Sequence, residues 1–484
     1  MTSSPRWDGS RSGKARKTSP SSSRSRVDLA IRGAIVISDG AYARDILIRD
    51  GRVSALVEPG ASSADEEIDA RGLVALPGVV DAHVHFNDPG RAEWEGWASG
   101  SRAAAAGGVT TVIDMPLNSL PPVLDGAAFD LKRAAGERGS VVDFALWGGL
   151  VGTDPVPLGE LAARGVVGVK AFLCDSGVPE FAALADTELV PAMRAAASAG
   201  LLVAVHAEDD GIVRDATDRV RASGRRDPGA WLASRPAVAE ARAVGRACAA
   251  AGESGVRLHL VHLSAAEALG AIGVARGAGT DVSVETCPHY LVFDDADVLV
   301  QGPLLKCAPP IRDRANRDAL WDALSGGRID LVASDHSPCP AADKTRGGDD
   351  IFAAWGGVSG VQSLLPAVFT EALRRAGGAL DARKVAGFVS WRLSAKPAER
   401  FGLSPRKGRI QVGADADIVL FDPDRDWTLE PGAVQTRSGL TPYTGRRFTG
   451  AVVRTLVRGA TVFREGDFPA ASAHGRFVAA ERAA

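Results

Sequence analysis

The 484-residue chain has few cysteines, few tyrosines and no long apolar run. Its five cysteines, Cys174, Cys248, Cys287, Cys307 and Cys339, are odd in number and far apart, which argues against a disulfide framework and favours a reducing, cytoplasmic location. No stretch is long enough for a membrane span. The formal net charge of -3 excludes the basic balance typical of nucleic-acid binders and of membrane-surface binders. The composition predicts a globular protein with one large domain and a smaller one.

Residues 1–26 differ in composition from the rest of the chain. They carry seven basic residues, one acid and nine serines, and they contain no apolar segment. This composition is unlike a secretory signal and predicts a disordered tail. If the tail instead bound nucleic acid, the binding would be sensitive to salt and would vanish when the tail is deleted.

Both ends of the remaining chain carry strand patterns. Residues 27–77 include VDLAIRGAIVI and RDILIRDGRVSALV, with a hairpin signal at Asp50-Gly51. Similar segments, ADIVLFDP and AVVRTLVRGATVFREG, lie within residues 401–470. We predict that these two regions pair into one small β-sandwich, followed by a C-terminal tail at residues 471–484.

The region between residues 78 and 400 alternates short apolar runs with alanine-rich segments at helical spacing. There are eight such runs: VVDAHVHF, VTTVIDMP, VVDFALWGG, VVGVKAFL, LLVAVHAE, RLHLVHLS, DVSVETCP and IDLVASDHS. Alternation of strand and helix patterns predicts an α/β fold with a parallel sheet, and eight repeats predict a (β/α)8 barrel of the TIM type.

Polar residues lie at or near the carboxyl ends of these runs, where barrel active sites are found. They are His83 and His85 in the first run, Lys170 in the fourth, His206 in the fifth, His262 in the sixth and Asp335 in the eighth. Residues two apart in a strand point to the same side, so His83 and His85 could bind one metal, and imidazole suits zinc. The pair alone would also fit structural histidines. The convergence of six such residues favours a metal site.

Lys170 lies among apolar residues in VVGVKAFL, where burying an ammonium is costly. Two interpretations remain open from the residues themselves. The stem could carry the charge to solvent or to an acid. Alternatively, CO2 could carbamylate the amine and turn it into a carboxylate that bridges two cations.

Several segments together resemble the amidohydrolase superfamily, in its cyclic amidohydrolase branch of dihydroorotases, hydantoinases and allantoinases. The resemblance runs from about residue 27 to residue 470. The matching segments are DAHVHFNDPGRAEWEGW, AAAAGGVTTVIDMPLNSLPP, GVVGVKAF, VHAE, LHLVHLS, ETCPHYLVF, LKCAPPIRD, ASDHSPCP and AWGGVSGVQ.

This resemblance implies two divalent metal ions per subunit, with zinc expected, and a homotetramer. The implied ligands are His83, His85 and Asp335 for one ion and His206 and His262 for the other, with Lys170, as N6-carboxylysine, bridging both. A hydroxide between the ions would attack the ring amide carbonyl. Asp335, the expected catalytic residue, would pass the proton to the leaving nitrogen.

Substrate-binding positions distinguish the members of this branch. Dihydroorotases have an arginine two residues after the second histidine and a histidine four residues after the catalytic aspartate, and both bind the substrate carboxylate. Asn87 and Cys339 stand there in this chain, which disfavours a carboxylate-bearing ring. Amides suit the neutral ureido group of allantoin. The resemblance is strongest to allantoinases, and it implies ring opening of allantoin to allantoate in purine degradation.

Four residues are expected to bind this substrate: Asn87, Asn118, Cys287 through nearby main-chain groups, and Arg91, which could instead pair with Glu93 or Glu95. Activity of the hydantoinase or dihydropyrimidinase type is the main alternative. Those enzymes place a tyrosine before the bridging lysine, and none of the three tyrosines stands there. A non-catalytic scaffold of the same fold is a second alternative. We see no Gly-x-Ser-x-Gly elbow to support a serine hydrolase.

Overall fold

The computed structural model describes residues 27–38, 40–378, 380–469 and 473–481. The predicted N-terminal tail lies outside the described residues. The first strands belong to a small sheet: β1 (Leu29–Ile37), β2 (Ala41–Arg49), β3 (Arg52–Val57), β4 (Glu66–Asp69) and β5 (Val74–Pro77). The Asp50-Gly51 turn has positive φ at both residues and connects β2 to β3 as a tight hairpin.

A parallel barrel follows, and each of its eight strand positions corresponds to one predicted apolar run. Its strands are β6 (Val79–Val84), β7 (Val109–Asp114), β8 (Asp143–Leu146), β9 (Gly148–Gly149), β10 (Val169–Phe172), β11 (Val203–His206), β12 (Leu258–Leu260), β13 (Val282–Thr286) and β14 (Leu331–Val332). The consecutive strands β8 and β9 occupy one position. A parallel bridge between Val84 and His336 closes the barrel beyond β6 and β14. The predicted α/β barrel is therefore confirmed.

Helices cover the barrel and connect its strands. They are α1 (Trp97–Ala106), α2 (Gly126–Gly139), α3 (Pro155–Ala163), α4 (Asp186–Ser198), α5 (Asp210–Ala222), α6 (Pro228–Ser234), α7 (Ala237–Ser254), α8 (Leu269–Gly277), α9 (Pro288–Val292), α10 (Asp295–Gln301), α11 (Arg314–Ser325), α12 (Ala341–Lys344), α13 (Leu364–Ala376), α14 (Ala382–Ser390) and α15 (Lys396–Arg400). Short 3-10 turns lie at Ala266–Ala268, Gly302–Leu305, Val361–Ser363 and Pro431–Ala433, and a π-helical turn at Trp391–Ala395.

Local sequence explains where several of these helices begin. Asp125, Asp209 and Asp313 each accept a hydrogen bond from a main-chain N–H in the first turn of the helix that follows, as good N-cap residues do. The barrel strands are buried on both faces by helices outside and side chains inside, so they read as continuous apolar runs. Among the described residues, no helix combines the length and the apolar character needed to cross a bilayer.

The last strands return to the small sheet: β15 (Ile418–Thr428), β16 (Arg447–Val457) and β17 (Ala460–Arg464). β15 pairs antiparallel with β5, so both ends of the chain share one continuous eight-stranded sheet. Residues 473–481 then run along the barrel. Phe144 N donates to Arg476 O at 3.0 Å, Val478 N donates to Phe144 O at 2.8 Å, and the Val478 side chain is buried.

Candidate active site

The carboxyl ends of the barrel strands surround a cavity of about 540 Å³. All six predicted metal ligands contribute to its wall, namely His83, His85, Lys170, His206, His262 and Asp335. None of them is more than 7 % exposed. The structure thus shows that these residues converge, and their role as ligands stays a prediction.

His83, His85 and Asp335 form the first half of the cluster. Their nitrogen and oxygen atoms lie within 4.8 Å of one another. The Nε2 atoms of His83 and His85 lie 3.3 and 3.6 Å from Asp335 Oδ1. Burial alone would raise the pKa of Asp335, but the imidazoles of His83, His85 and His262 hold it well below the usual carboxyl range. The aspartate is therefore ionised, as a metal ligand must be.

His206 and His262 form the second half. Nδ1 of His206 lies 3.1 Å from Nε2 of His262, and the ring of His262 lies 5.4 Å from the ring of His83. Burial lowers the pKa of His206 and places that of His262 well below its ordinary value. Both rings are therefore neutral at pH 7, which is the form of histidine that binds a metal.

Lys170 lies on β10 and is 1 % exposed. Its Nζ lies 5.1 Å from the centre of the Phe172 ring and has no carboxylate within 4 Å among the described residues. Burial lowers the pKa of Lys170 to about 8. The amine faces the cavity without an acidic partner, in contrast to the ion-paired alternative considered from the sequence.

Two buried carboxylates each lie within hydrogen-bond distance of one ring nitrogen of a predicted ligand, His83 or His206. Glu285 Oε1 lies 2.6 Å from Nδ1 of His83, and Glu208 Oε2 lies 2.9 Å from Nε2 of His206. Burial would raise the pKa of each glutamate, but the charges and hydrogen bonds of their partners hold both at about 2. An ionised carboxylate only accepts, so each ring donates to its glutamate, and the neutral ring of His206 presents a lone pair at its opposite nitrogen.

This arrangement fits a bound cation. Nε2 of His83 lies 3.3 Å from Oδ1 of Asp335, so an imidazole nitrogen and an ionised carboxylate oxygen meet at one point of the cavity wall. Nδ1 of His262 is buried without a hydrogen-bond partner among the described residues. Nε2 of His83 and Oδ1 of Asp335 would hold a metal ion, and imidazole with carboxylate is a donor set that zinc favours.

The backbone is unusual at four of the predicted site residues. Asn87, Asn118, His262 and Asp335 have φ values of 62°, 68°, 38° and 44°. Residues other than glycine rarely adopt this left-handed conformation, and such conformations concentrate at functional sites. The strands end here in turns that aim the side chains of His262 and Asp335 into the cavity.

The predicted substrate-binding residues lie outside the cavity wall that the described residues form. Asn118 Nδ2 lies 3.5 Å from Nδ1 of His85, and Asn87 is buried with Oδ1 unpartnered among the described residues. Arg91 donates to Asn118 O at 3.2 Å and lies 3.8 Å from Glu180, not beside Glu93 or Glu95.

Cys287, the fourth residue predicted to bind substrate, is fully buried, and burial raises the pKa of its thiol well above the ordinary value. Substrate binding by these four residues stays a prediction.

The roles of Glu208, Glu285 and Arg235 were not predicted from the sequence. Glu208 also accepts a short hydrogen bond from Arg235, and Glu285 Oε2 lies 3.1 Å from Nε2 of His259. A glutamate inside the otherwise buried run VSVETC was an available signal, because a buried acid needs partners. Arg235 offered no comparable signal, because it reaches Glu208 from outside the strand pattern.

A parallel barrel with buried histidines, a lysine and an aspartate at its carboxyl end defines a metal-dependent hydrolase of the amidohydrolase class. The chain belongs to the amidohydrolase family, whose sequence profile matches residues 74–462. Family membership implies divalent metal ions as cofactors.

More specific similarity is to allantoinases. The allantoinase of Rubrobacter xylanophilus is 47 % identical over 462 residues, covering 95 % of this chain and 99 % of that protein. The allantoinase of Solibacter usitatus is 48 % identical, covering 90 % and 93 %. Among solved structures, the L-hydantoinase (dihydropyrimidinase) from Arthrobacter aurescens is 34 % identical with a TM-score of 0.88, covering 94 % of this chain and 100 % of that one.

Proposed function

We propose that this protein hydrolyses the ring amide of allantoin and releases allantoate. The observation that carries the proposal is the convergence of four buried histidines, one aspartate and one lysine on a single cavity. Similarity to allantoinases over nearly the whole chain supports the choice of ring. The absence of a cationic residue at Asn87 and Cys339 agrees with a substrate that lacks a carboxylate at that end.

The bound cations, the residues that hold them and Asp335 would have different roles in the proposed reaction. Bound divalent cations would supply an activated water at neutral pH and would polarise the amide carbonyl. His83, His85 and Asp335 would hold one cation, and His206 and His262 the other. Asp335, ionised and held by a 3.0 Å hydrogen bond from Ser337 Oγ, would accept a proton and deliver it to the leaving ring nitrogen.

We propose zinc as the metal because the donor set is rich in imidazole. Lys170 would be carbamylated, since its amine faces the cavity with no acid beside it, and the resulting carboxylate could reach both cations. Intact-mass measurement under bicarbonate should show the added mass of one CO2, which the Lys170→Ala variant should lack. Short carboxylic acids should partly restore the activity of that variant. An unmodified lysine in active, metal-loaded protein would contradict carbamylation.

Hydantoinase-like activity is the second candidate, because the solved structures similar to this chain include hydantoinases. The tyrosines of this chain argue against it. Tyr290 Oη donates to Pro309 O at 2.7 Å, Tyr443 is fully buried, and Tyr42 lies on the small sheet. None of them lines the cavity. A non-catalytic scaffold is disfavoured because all six ligand positions are filled.

A substrate panel tests the proposal most directly. Purified protein loaded with zinc and bicarbonate would be given allantoin, hydantoin, dihydrouracil and dihydroorotate, with bound metal measured on the same sample. We expect ring opening of allantoin to be fastest and metal to be bound. Preference for hydantoin or dihydrouracil would favour the second candidate. A chain that binds no metal and opens no ring would favour the scaffold.

We also propose a homotetramer located in the cytoplasm, with no nucleic-acid or membrane partner. All five cysteines are buried and free, which agrees with a reducing compartment. Light scattering of the full chain would report the mass of the assembly, and a monomer would contradict the tetramer.

A further inference from the structure

Two lysines outside the predicted metal cluster are buried next to the cavity. Lys306 is 4 % exposed, and Lys344, the last residue of α12, is 5 % exposed. Among the described residues, all hydrogen bonds from the two Nζ atoms go to main-chain carbonyls, and neither atom has a carboxylate within 4 Å. A buried ammonium is unfavourable unless hydrogen bonds compensate it, so these carbonyls must stay in place.

Lys306 holds the first part of the segment formed by residues 352–357. Its Nζ donates to Phe352 O at 3.2 Å and, in a shorter bond, to Ala354 O. The ammonium also lies 4.3 Å from the centre of the Trp231 ring, a cation–π contact. The main chain of the segment also binds the main chain of Lys306: Gly357 N donates to Lys306 O at 2.7 Å.

Lys344 holds the second part of the same segment. Its Nζ donates to Trp355 O at 3.1 Å and, in a shorter bond, to Gly357 O. A third bond, 3.1 Å long, goes to Pro303 O and fastens the segment to the neighbouring 3-10 turn. A lysine ammonium has three donors, so Lys344 is fully satisfied by carbonyls.

Residues 352–357 form one wall of the cavity and touch the chain beside Asp335. Gly357 has φ +126°, and a Cβ built there would lie 2.3 Å from Ser337 O, so the two chains are in close contact. Ser337 N donates to Val358 O at 3.0 Å, and Ser337 Oγ donates to Asp335 Oδ1 at 3.0 Å. A displacement of the segment would therefore reach the aspartate through Ser337.

We propose that Lys306 and Lys344 are positioning residues that hold residues 352–357 against the cavity and keep Ser337 in place beside Asp335. Neither lysine would touch the reacting atoms. Each acts through the peptide groups whose carbonyls it binds. The kinetic consequence rests on the proposed allantoin hydrolysis, but the structural consequence does not.

The test uses Lys306→Met and Lys344→Met, which remove the donors and keep an apolar stem of similar length. Hydrogen exchange of the amides in residues 340–357 should accelerate by at least about tenfold, with the barrel strands unchanged. The kcat/KM for allantoin should fall by at least about tenfold while metal content stays that of the wild type. Lys407→Met is the control for loss of a buried lysine at the opposite end of the barrel. Because it lowers the global stability, any acceleration of exchange in this variant should extend over the barrel strands and not be confined to residues 340–357.

Unchanged exchange in residues 340–357 of both variants would overturn the proposal. Loss of bound metal together with activity would also overturn it, because the lysines would then act on the metal cluster itself. If one variant does not fold, the other decides. If allantoin proves not to be the substrate, the exchange measurement still tests the positioning role, and its failure is distinguishable from failure of the proposed function.

Discussion

The two ends of the barrel both bury charged and titratable groups, but they differ in how completely those groups are paired. At the end opposite the cavity, Lys407 Nζ lies 2.6 Å from a carboxylate oxygen of both Asp143 and Asp417 and 3.0 Å from one of Asp415. Arg458 makes a short ion pair with the other oxygen of Asp143. The three aspartates have the spacing of a metal site, but the lysine ammonium already satisfies them.

At the cavity end, bonding is incomplete. Both ring nitrogens of His289, Nδ1 of His262 and Oδ1 of Asn87 are buried without partners among the described residues. Buried polar atoms are nearly always bonded, so these are atoms that a water or a ligand would satisfy. The comparison shows that ligand spacing alone does not identify a metal site. Asp335 at the cavity end, by contrast, has no lysine or arginine within 4 Å among the described residues, and its ion-pair partners within that distance are histidines.

The largest expected effect is at Asp335. Asp335→Asn keeps the shape of the side chain but removes the proton acceptor, so turnover of allantoin should fall by about 100- to 10,000-fold. Steady-state kinetics and metal analysis on the same sample would check this, and at least one metal ion should remain bound. Asp415→Asn, the same change at the opposite end, should leave turnover per folded molecule unchanged. Near-normal turnover by Asp335→Asn would refute the proton-transfer role.

The next effect concerns stability at the opposite end. Lys407→Met leaves the carboxylates of Asp143, Asp415 and Asp417 buried without their central cation. Removing one partner of a buried ion pair typically costs about 3–5 kcal/mol. We expect a loss of this size in the free energy of unfolding, measured by urea denaturation, with kcat retained by the folded fraction. A loss of catalysis without a loss of stability would mean that the two ends are not separate in function.

A smaller effect is expected where a carboxylate orients a predicted ligand. Glu285→Gln removes the charge that fixes the proton on Nδ1 of His83, so the affinity for metal should weaken by about 10- to 100-fold. Competition with a chelator would measure it. Glu240→Gln is a matched control, because Glu240 is equally buried but binds Ser264 and Arg312, not a histidine. Equal effects of the two substitutions would show a general loss of buried charge, with no specific action on His83.

The sequence predicts those features that follow from local periodicity. Strands buried on both faces appear as apolar runs, and a polar residue at the end of such a run marks the mouth of the barrel. This is why the barrel and the convergence of His83 with Asp335 could be predicted. The charge cluster at the opposite end could not, because Lys407 and Asp143 are 264 residues apart and neither ends a strand run at the cavity.

The paths of the loops could not be predicted from the sequence pattern either. The contacts of Arg91 and the position of residues 352–357 depend on turns that the hydrophobic periodicity of the sequence does not predict. Arg91 reaches the carbonyl of Asn118, and the Gly357 backbone fits against Ser337, only once the loops are folded together. Side chains at strand ends could therefore be predicted, whereas those on the loops above them needed the structure.

The smallest expected effect is a difference between Lys344 and Lys407 in how each makes the stability of the protein depend on pH. Burial lowers the pKa of Lys344 to about 8. Burial would also lower the pKa of Lys407, but the carboxylates of Asp417, Asp143 and Asp415 raise it above the ordinary lysine value. A lysine in the unfolded chain has a pKa of about 10.4. From about pH 8 to about pH 10, the unfolded chain therefore keeps a proton at position 344 that the folded protein has released, and the contribution of Lys344 to stability rises with pH.

Urea denaturation at a series of alkaline pH values would measure this difference against the two methionine variants. One pKa unit is worth about 1.4 kcal/mol, so wild type should gain about 1 kcal/mol relative to Lys344→Met between about pH 8 and about pH 9. Lys407 is charged in both folded and unfolded chains over that range, so the gap between wild type and Lys407→Met should stay flat. A flat response at Lys344 would show that its ammonium is better solvated than its burial among carbonyls implies, and would remove the contrast between the two ends.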